Sequence, residues 1–190
     1  FTTKNIHYIN DKDHQKHDIL GSLMVAKNFL KDNTIVLYSD IIFESKIIQQ
    51  MLNSKENISI AIDMNWEQNY EGRTEHPKNE AENVLINKNR KILQIKKYII
   101  NNNSSVGEFL GIIKFSNDGA DIFVKKYEEL IEQNHGEFHE APSILKSYLT
   151  DMLQELIDCK INVEPIFISG KWCEIDTMQD LKNAEEKFSD

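Results

Sequence analysis

Apolar and polar positions follow two different periods along the chain, and the switches between them outline the elements. Ile58-Ser-Ile-Ala-Ile-Asp63 is nearly continuous in apolar, β-branched residues, the pattern of a strand buried on both faces. Thr34-Ile-Val-Leu-Tyr-Ser39 reads in the same way. Gly21 to Lys31 carries apolar residues at helical spacing with Ser22 as its cap, and Glu44 to Leu52 predicts a short second helix. Val84 to Asn87 and Lys91 to Ile99 predict two strands joined across Lys88-Asn89 as a hairpin. Gly107 to Ser116 reads as a strand in which Gly107 and Gly111 predict close backbone approach.

Two longer helices follow, over 119–133 and 142–159. The second has a stripe of Leu145, Leu149, Met152, Leu153 and Leu156 that faces a core. Ile161 to Ser169 predicts a strand, and Pro165 places it at a sheet edge or a bulge. Thr177 to Phe188 predicts the last helix, with Thr177 as N-cap and Asp180 closing a capping box. Two polar stretches remain. Residues 65–81 read as a long loop or lid, and residues 101–105 as a loop tip. Alternating helices and strands with one hairpin give an α/β class with a mixed sheet, in one domain over residues 1–190.

Composition narrows the function. Apolar residues make up 40% and charged residues 28%, the balance of a globular chain. The net charge of -9 argues against nucleic-acid or anionic-membrane partners, which call for basic faces. Cys159 and Cys173 have no CxxC spacing, so the expected setting is reducing and cytoplasmic. No apolar run reaches the length of a membrane span.

The candidate chemistry lies at strand ends. Asp40 follows the apolar run at 34–39, and Glu174 and Asp176 stand two apart after Lys171-Trp-Cys. On an extended chain Glu174 and Asp176 share one face, with Cys173 opposite as a packed thiol. Open α/β sheets hold their sites at strand carboxyl ends, so acids from two distant segments point to a divalent-metal site. Asp40 also suits a helix cap before Ile41 to Phe43, and Asp176 suits the dipole of the last helix. Asp63, Trp66 and Tyr70 cluster after another strand and suit an ammonium group, or else pack the lid. Of six histidines, His76 alone lies in the lid near these groups.

Four segments occur in an order that carries a resemblance: Ser39-Asp-Ile-Ile-Phe43, Gly107-Glu-Phe-Leu-Gly111, Tyr148 to Ile157, and Gly170-Lys-Trp-Cys-Glu-Ile-Asp-Thr-Met-Gln-Asp-Leu181. Together they resemble the nucleotidyltransferases of phosphonate metabolism associated with phosphoenolpyruvate mutase. That group is similar to bacterial choline-phosphate cytidylyltransferases and, more remotely, to sugar-phosphate nucleotidyltransferases. His76 to Asn83 resembles the mutase-associated branch.

The resemblance implies a Rossmann-like three-layer α/β/α nucleotidyltransferase fold. It implies transfer of CMP from CTP to a small phosphonate, such as 2-aminoethylphosphonate or a hydroxyalkylphosphonate, with release of pyrophosphate. It implies Mg²⁺ on Asp40 and Asp176 with Glu174 beside them, Lys97 against the acceptor phosphate, and Glu108 lining the acceptor pocket. Asp151 is expected to lie behind the site or to face solvent. A phosphoenolpyruvate mutase domain, fused or separate, is the implied partner. The family opens with a strand and a Gly-rich loop that this sequence does not show, so the chain is expected to be the C-terminal portion of a longer protein. The alternatives are a choline-phosphate or sugar-phosphate enzyme, and a catalytically silent module of the same fold.

Overall fold

The computed structural model describes residues 6–100, 105–133 and 136–189. Its centre is β3 (Ile58–Asp63), every residue of which is buried. The reason lies in the period of two. Ile60 and Ile62 enter one core with Phe109, Ile113 and Leu153, while Ala61 enters a second with Leu110, Ile112 and Ile47. A strand with a core on each face needs apolar residues at successive positions. The three-layer α/β/α arrangement follows.

Among the described residues the main sheet has six strands. Besides β3 they are β1 (Ile35–Leu37), β4 (Glu82–Ile86), β5 (Ile92–Lys97), β6 (Ser105–Phe115) and β7 (Glu164–Phe167). The order β5-β4-β6-β3-β7 places β7 at an edge, parallel to β3, and the other pairs are antiparallel. Pro165 therefore sits on an edge strand, as its missing N–H requires. The opposite edge, β5, is covered by α4 (Leu149–Asp158), where Gln154 Oε1 accepts the Ile95 N–H at 2.7 Å.

One edge of β6 is forked. Residues 105–108 pair with β4 and residues 112–114 pair with β1, while β3 runs along the other edge. Gly111 sits in the fork with a φ of 70°. Its carbonyl accepts the Tyr38 N–H at 3.0 Å, and a Cβ there would lie 2.2 Å from the Tyr38 ring. Gly107 has a similar need, since its Cβ would lie 2.5 Å from Ile62 Cγ2. Both close approaches expected of these glycines are present.

A separate two-stranded sheet joins β2 (Ile41–Phe43) to β8 (Trp172–Glu174) in antiparallel register, Ile41 opposite Glu174 and Phe43 opposite Trp172. Helix α5 (Met178–Phe188) leaves β8 through Thr177 and Asp180, whose capping box is formed as the sequence predicts. Helix α2 (Ser45–Asn53) covers one face of the main sheet through Ile47 and Met51. Helix α3 (Asn117–Gln133) covers the other with Phe123 edge-on to Phe115, 5.0 Å between ring centroids. Among the described residues, no helix is long and apolar enough to cross a membrane.

Several boundaries differ from expectation. Helix α1 is short (Ile19–Val25), starts after Asp18 rather than at Ser22, and passes into a 3-10 turn at Lys27–Phe29. The helix expected over 142–159 is broken: residues 144–146 form a 3-10 turn and α4 begins after Tyr148. The break is held by tertiary hydrogen bonds, with Leu145 and Ser147 carbonyls accepting the N–H groups of Asp18 and Leu20. Asp151 Oδ2 accepts the Tyr148 N–H at 2.8 Å, so Asp151 caps α4 and is buried rather than in solvent. The run at 34–39 yields only the three-residue β1, partly exposed because it pairs on one side alone. The hairpin strands are joined by residues 87–91, closed by Asn87 N–H to the Lys91 carbonyl. Of the predicted loop at 101–105, residues 101–104 lie outside the described residues and Ser105 opens β6.

Gly111→Ala should destabilise the protein by about 1–3 kcal/mol, because any Cβ there both strains the backbone and meets Tyr38. Urea unfolding of the two proteins measures this, and equal midpoints would remove the fork as a constraint.

Candidate active site

The fork in β6 opens a cleft of about 460 Å³. Its walls are β1 and the turn after it, the start of β4, the middle of β6 at 108–110, Tyr148 at the start of α4, and the segment 172–176. Asp40, Glu174, Asp176, Lys97, Glu108 and Tyr70 of the expected site residues all line it.

Asp40 reaches the cleft for a reason that the sequence does not display. It lies between β1, in the main sheet, and β2, in the small one. No helix follows it; residues 41–43 form strand β2. The Asp40 carbonyl accepts the Ile175 N–H at 2.8 Å, which sets Asp40 beside Glu174 and Asp176. Glu174 is held up to about 7 by burial, by the charge of Asp176 and by that of Asp40, against the pull of Arg73. The three carboxylates are therefore close enough to repel one another, and they offer the hard oxygen donors that suit Mg²⁺.

Arg73 and His76 of the 65–81 segment face these acids. His76 Nδ1 lies 2.8 Å from Asp176 Oδ2, and its Nε2 lies 3.8 Å from Glu174. Arg73 Nε bonds Asp180 Oδ1 at 2.5 Å, and Nη2 lies 3.6 Å from Glu174 and 3.7 Å from Asp176. His76, Asp176 and Asp180 each present one ligand atom within 4.8 Å of the others. Asp180 is already engaged, since its Oδ2 accepts the N–H groups of Asp176 and Thr177. Although burial raises the Asp180 carboxyl, Arg73 and Thr177 outweigh it and hold the group near 2. Thus Asp180 is a cap, as the sequence indicates, and also the anchor of Arg73, which it does not.

The floor of the cleft is acidic. Glu108 is only 4% exposed; burial pushes it up to about 8, although Tyr70 donates to its Oε1 at 2.6 Å. Its Oε2 is buried without a hydrogen-bond partner. Glu82 is raised to about 7 by burial while accepting from Tyr38 and Thr150. Lys97 supplies a positive charge, pairing with Glu80 at 2.9 Å and lying 5.1 Å over the Tyr148 ring. Burial alone would lower its pKa; Glu80 reverses that and leaves it raised.

Two expected residues stand elsewhere. Asp63 does not line the cleft. Its carboxylate is committed to the Trp172 indole N–H and the Asn65 N–H, each at 2.8 Å. Trp66 donates to the Val106 carbonyl at 3.1 Å and packs edge-on against Tyr70, with centroids 5.6 Å apart. Both hold the 65–81 segment to the sheet, so the expected ammonium pocket of Asp63, Trp66 and Tyr70 keeps only Tyr70. The reason is that the segment folds into two 3-10 turns, Trp66–Tyr70 and Lys78–Glu80, that cover the sheet. Cys173 is half-buried, and burial raises its thiol. Sequence reasoning missed Arg73, Glu82 and Tyr38. Arg73 is one of two arginines in a strongly acidic chain, a signal that was available.

With this geometry in view, the likenesses to known proteins fall into place. The architecture is that of the nucleotidyltransferases. Solved structures sharing it include one assigned as a glucose-1-phosphate thymidylyltransferase from Bacillus anthracis (TM-score 0.63, 19% identity, 95% of this chain and 64% of that one). Another is the CTP:phosphocholine cytidylyltransferase of Streptococcus pneumoniae (TM-score 0.60, 16% identity, 94% of this chain and 67% of that one). The chain thus spans about two thirds of the length of these structures. In sequence it is similar to the CTP:phosphoglutamine cytidylyltransferase of Campylobacter jejuni, an enzyme, at 27% identity over 187 residues covering 95% of this chain and 72% of the relative. No family model matches the chain.

The buried carboxyls give a pH dependence. Glu108 titrates near 8 when folded against an ordinary value of 4.5, so between these limits the folded state holds the extra proton. Stability should then fall as pH rises from about 5 to 8, the reverse of the usual carboxylate behaviour. Glu108→Gln should flatten this slope and stabilise the protein at pH 8 by roughly 1–3 kcal/mol. Denaturant unfolding at several pH values checks it; equal slopes would mean that Glu108 is solvated or paired.

Proposed function

We propose that the cleft transfers CMP from CTP to a small acceptor bearing a phosphonate or phosphate group and a cationic head. The observation that carries this reading is the convergence of Asp40, Glu174 and Asp176 on a cleft that also holds Lys97 and Glu108. An oxygen of the acceptor attacks the α-phosphorus of CTP, the bond from that phosphorus to the bridging oxygen of the β-phosphate breaks, and pyrophosphate leaves. The acceptor is already an anion, so no general base is required. Positioning and neutralisation of crowded negative charge supply the catalysis.

Each residue then has a task. Asp40 and Asp176, with Glu174 beside them, would hold Mg²⁺. That ion would supply positive charge against the triphosphate. Lys97 offsets the acceptor's anionic end as a point charge. Glu108, protonated in the free cleft below about pH 8, gives up that proton as the acceptor's ammonium enters; its unpartnered oxygen then accepts an N–H from the ammonium, and the Tyr70 hydroxyl holds the carboxylate in place. The ammonium site thus moves from the position expected at Asp63 and Trp66 to the cleft floor.

The donor reading is supported by the relatives, two of which are named for CTP. The phosphonate reading rests on the resemblance of residues 76–83 and 170–181, and it would place a phosphoenolpyruvate mutase, fused or separate, upstream. The phosphate alternative is supported by the acceptors named for the relatives, phosphocholine and phosphoglutamine. The unpaired Cys159 and Cys173 fit a reducing, cytoplasmic setting.

The decisive assay measures pyrophosphate release with each nucleoside triphosphate and matched phosphonate and phosphate acceptors, with and without an amine. Preference for CTP and an amine-bearing acceptor is expected; the phosphonate and phosphate arms identify the acceptor's anionic group. Glu108→Gln should raise KM for the amine-bearing acceptor by about tenfold and leave KM for CTP unchanged. A KM for the acceptor that does not move would return Glu108 to a structural role.

Asp40→Asn and Asp176→Asn should each lower turnover by roughly two to four orders of magnitude while the melting temperature changes little. Near-normal turnover in either variant would remove that residue from the site.

A further inference from the structure

Arg73 has a geometry that packing alone does not account for. Its side chain is 6% exposed, at the centre of an acidic group. Nε is spent on Asp180. Nη2 is buried with no hydrogen-bond partner and points between Glu174 Oε2 and Asp176 Oδ2, at 3.6 and 3.7 Å. A buried donor left unbonded costs free energy, and the local structure keeps it so at no obvious gain in packing. Its guanidinium carbon lies 5.1 Å from the centre of the Tyr70 ring, and His76 meets the same two carboxylates.

We infer that Arg73 is a positioning residue: a fixed internal counter-charge that holds Glu174 and Asp176 side by side and limits how strongly they bind a divalent cation. This rests on the proposed metal site. Without a cation nearby, like charges this close spread apart, and the site would collapse or open before metal and nucleotide arrive. Arg73 cannot follow the metal's charge because Asp180 fixes its other edge. Asp180 is in turn fixed by the backbone it caps at the start of α5. His76 differs. Its ring nitrogens lie 2.8 Å from Asp176 and 3.8 Å from Glu174, and it touches no carboxylate outside that pair among the described contacts, so it is the group that yields when a cation takes Asp176.

The arrangement also explains why the anchor is arginine. Only a fork with donors on two edges reaches Asp180 and the carboxylate pair at once; a lysine ammonium on a single stem reaches one of them. Removing the charge leaves the pair more negative, so it should bind a divalent cation more tightly while holding it in a less defined place. A purely structural arginine, tying the 65–81 segment to α5, predicts instead a lower melting temperature with metal affinity unchanged or weakened.

The test uses the full chain and Mn²⁺ alone, with binding followed by calorimetry and folding by thermal melting. Arg73→Gln should tighten Mn²⁺ by about tenfold. Arg73→Lys keeps the Asp180 pair, and should melt near the wild-type temperature while tightening Mn²⁺ by about threefold; it decides the matter if the glutamine variant does not fold. With CTP and acceptor, both variants should lose kcat more than they change KM for either substrate. Mn²⁺ affinity in Arg73→Lys that is unchanged or weaker than wild type overturns the inference. Asp176→Asn is the control for the site itself. If it binds Mn²⁺ as wild type does, the metal reading fails, and this outcome is distinct from a null effect at Arg73.

Discussion

The pairing of β2 with β8 is the constraint on which the rest of the site depends. It is only three residues long on each side, yet it joins positions more than a hundred residues apart and fixes Ile41 opposite Glu174. A ladder this short is marginal by itself. It is held by Trp172, whose ring lies in the second core with Ile47, Met51 and Leu110. The Trp172 indole N–H is bonded to Asp63 at the end of β3, and its carbonyl accepts from Lys187 of α5. The register of two short strands is thereby tied to the most buried strand of the main sheet. A slip of one residue would turn Glu174 away from the cleft and bring Cys173 into it.

Charge is handled in the cleft by separation. Carboxylates at the mouth, from Glu174 and Asp176, face Arg73 and His76 of the 65–81 segment. Carboxyls on the floor, Glu82 and Glu108, are buried enough to titrate near 7 and 8 and are bonded to tyrosine hydroxyls. Lys97 is neutralised in place by Glu80. Desolvated charge of this kind is costly unless it is used, and a substrate with both anionic and cationic groups would use it. The 65–81 segment therefore does more than cover the cleft. Its aromatic residues fasten it to the sheet, and its Arg73 and His76 face the acids.

The elements that the sequence announced are those stabilised by their own pattern. β3, α2 and α5 depend on a continuous apolar run, helical spacing and a capping box, and each occupies nearly its expected span, whereas of the strand expected over 161–169 only Glu164–Phe167 forms. The elements that shifted are those decided by a partner elsewhere in the chain. α4 starts late because the carbonyls of residues 145 and 147 are taken by α1, and β1 is short because β6 forks. Local propensity carries no record of either event.

The same division holds for the site. Acids ending strand-like runs make Asp40, Glu174 and Asp176 candidates from sequence, and the likeness to nucleotidyltransferases is carried by the ordered segments at 39–43, 107–111, 148–157 and 170–181. Which carboxylates remain free was a matter for tertiary structure alone. Asp63 carries the same chemistry as Asp40, but indole and backbone N–H groups consume it. Glu108 keeps an unpartnered oxygen because it is buried where β6 lies between β3 and β4, and the Tyr70 hydroxyl bonds its other oxygen. A sequence specifies donors and acceptors but not their partners. Whether a buried polar group is part of the scaffold or available to a ligand is settled only when the chain has closed around it.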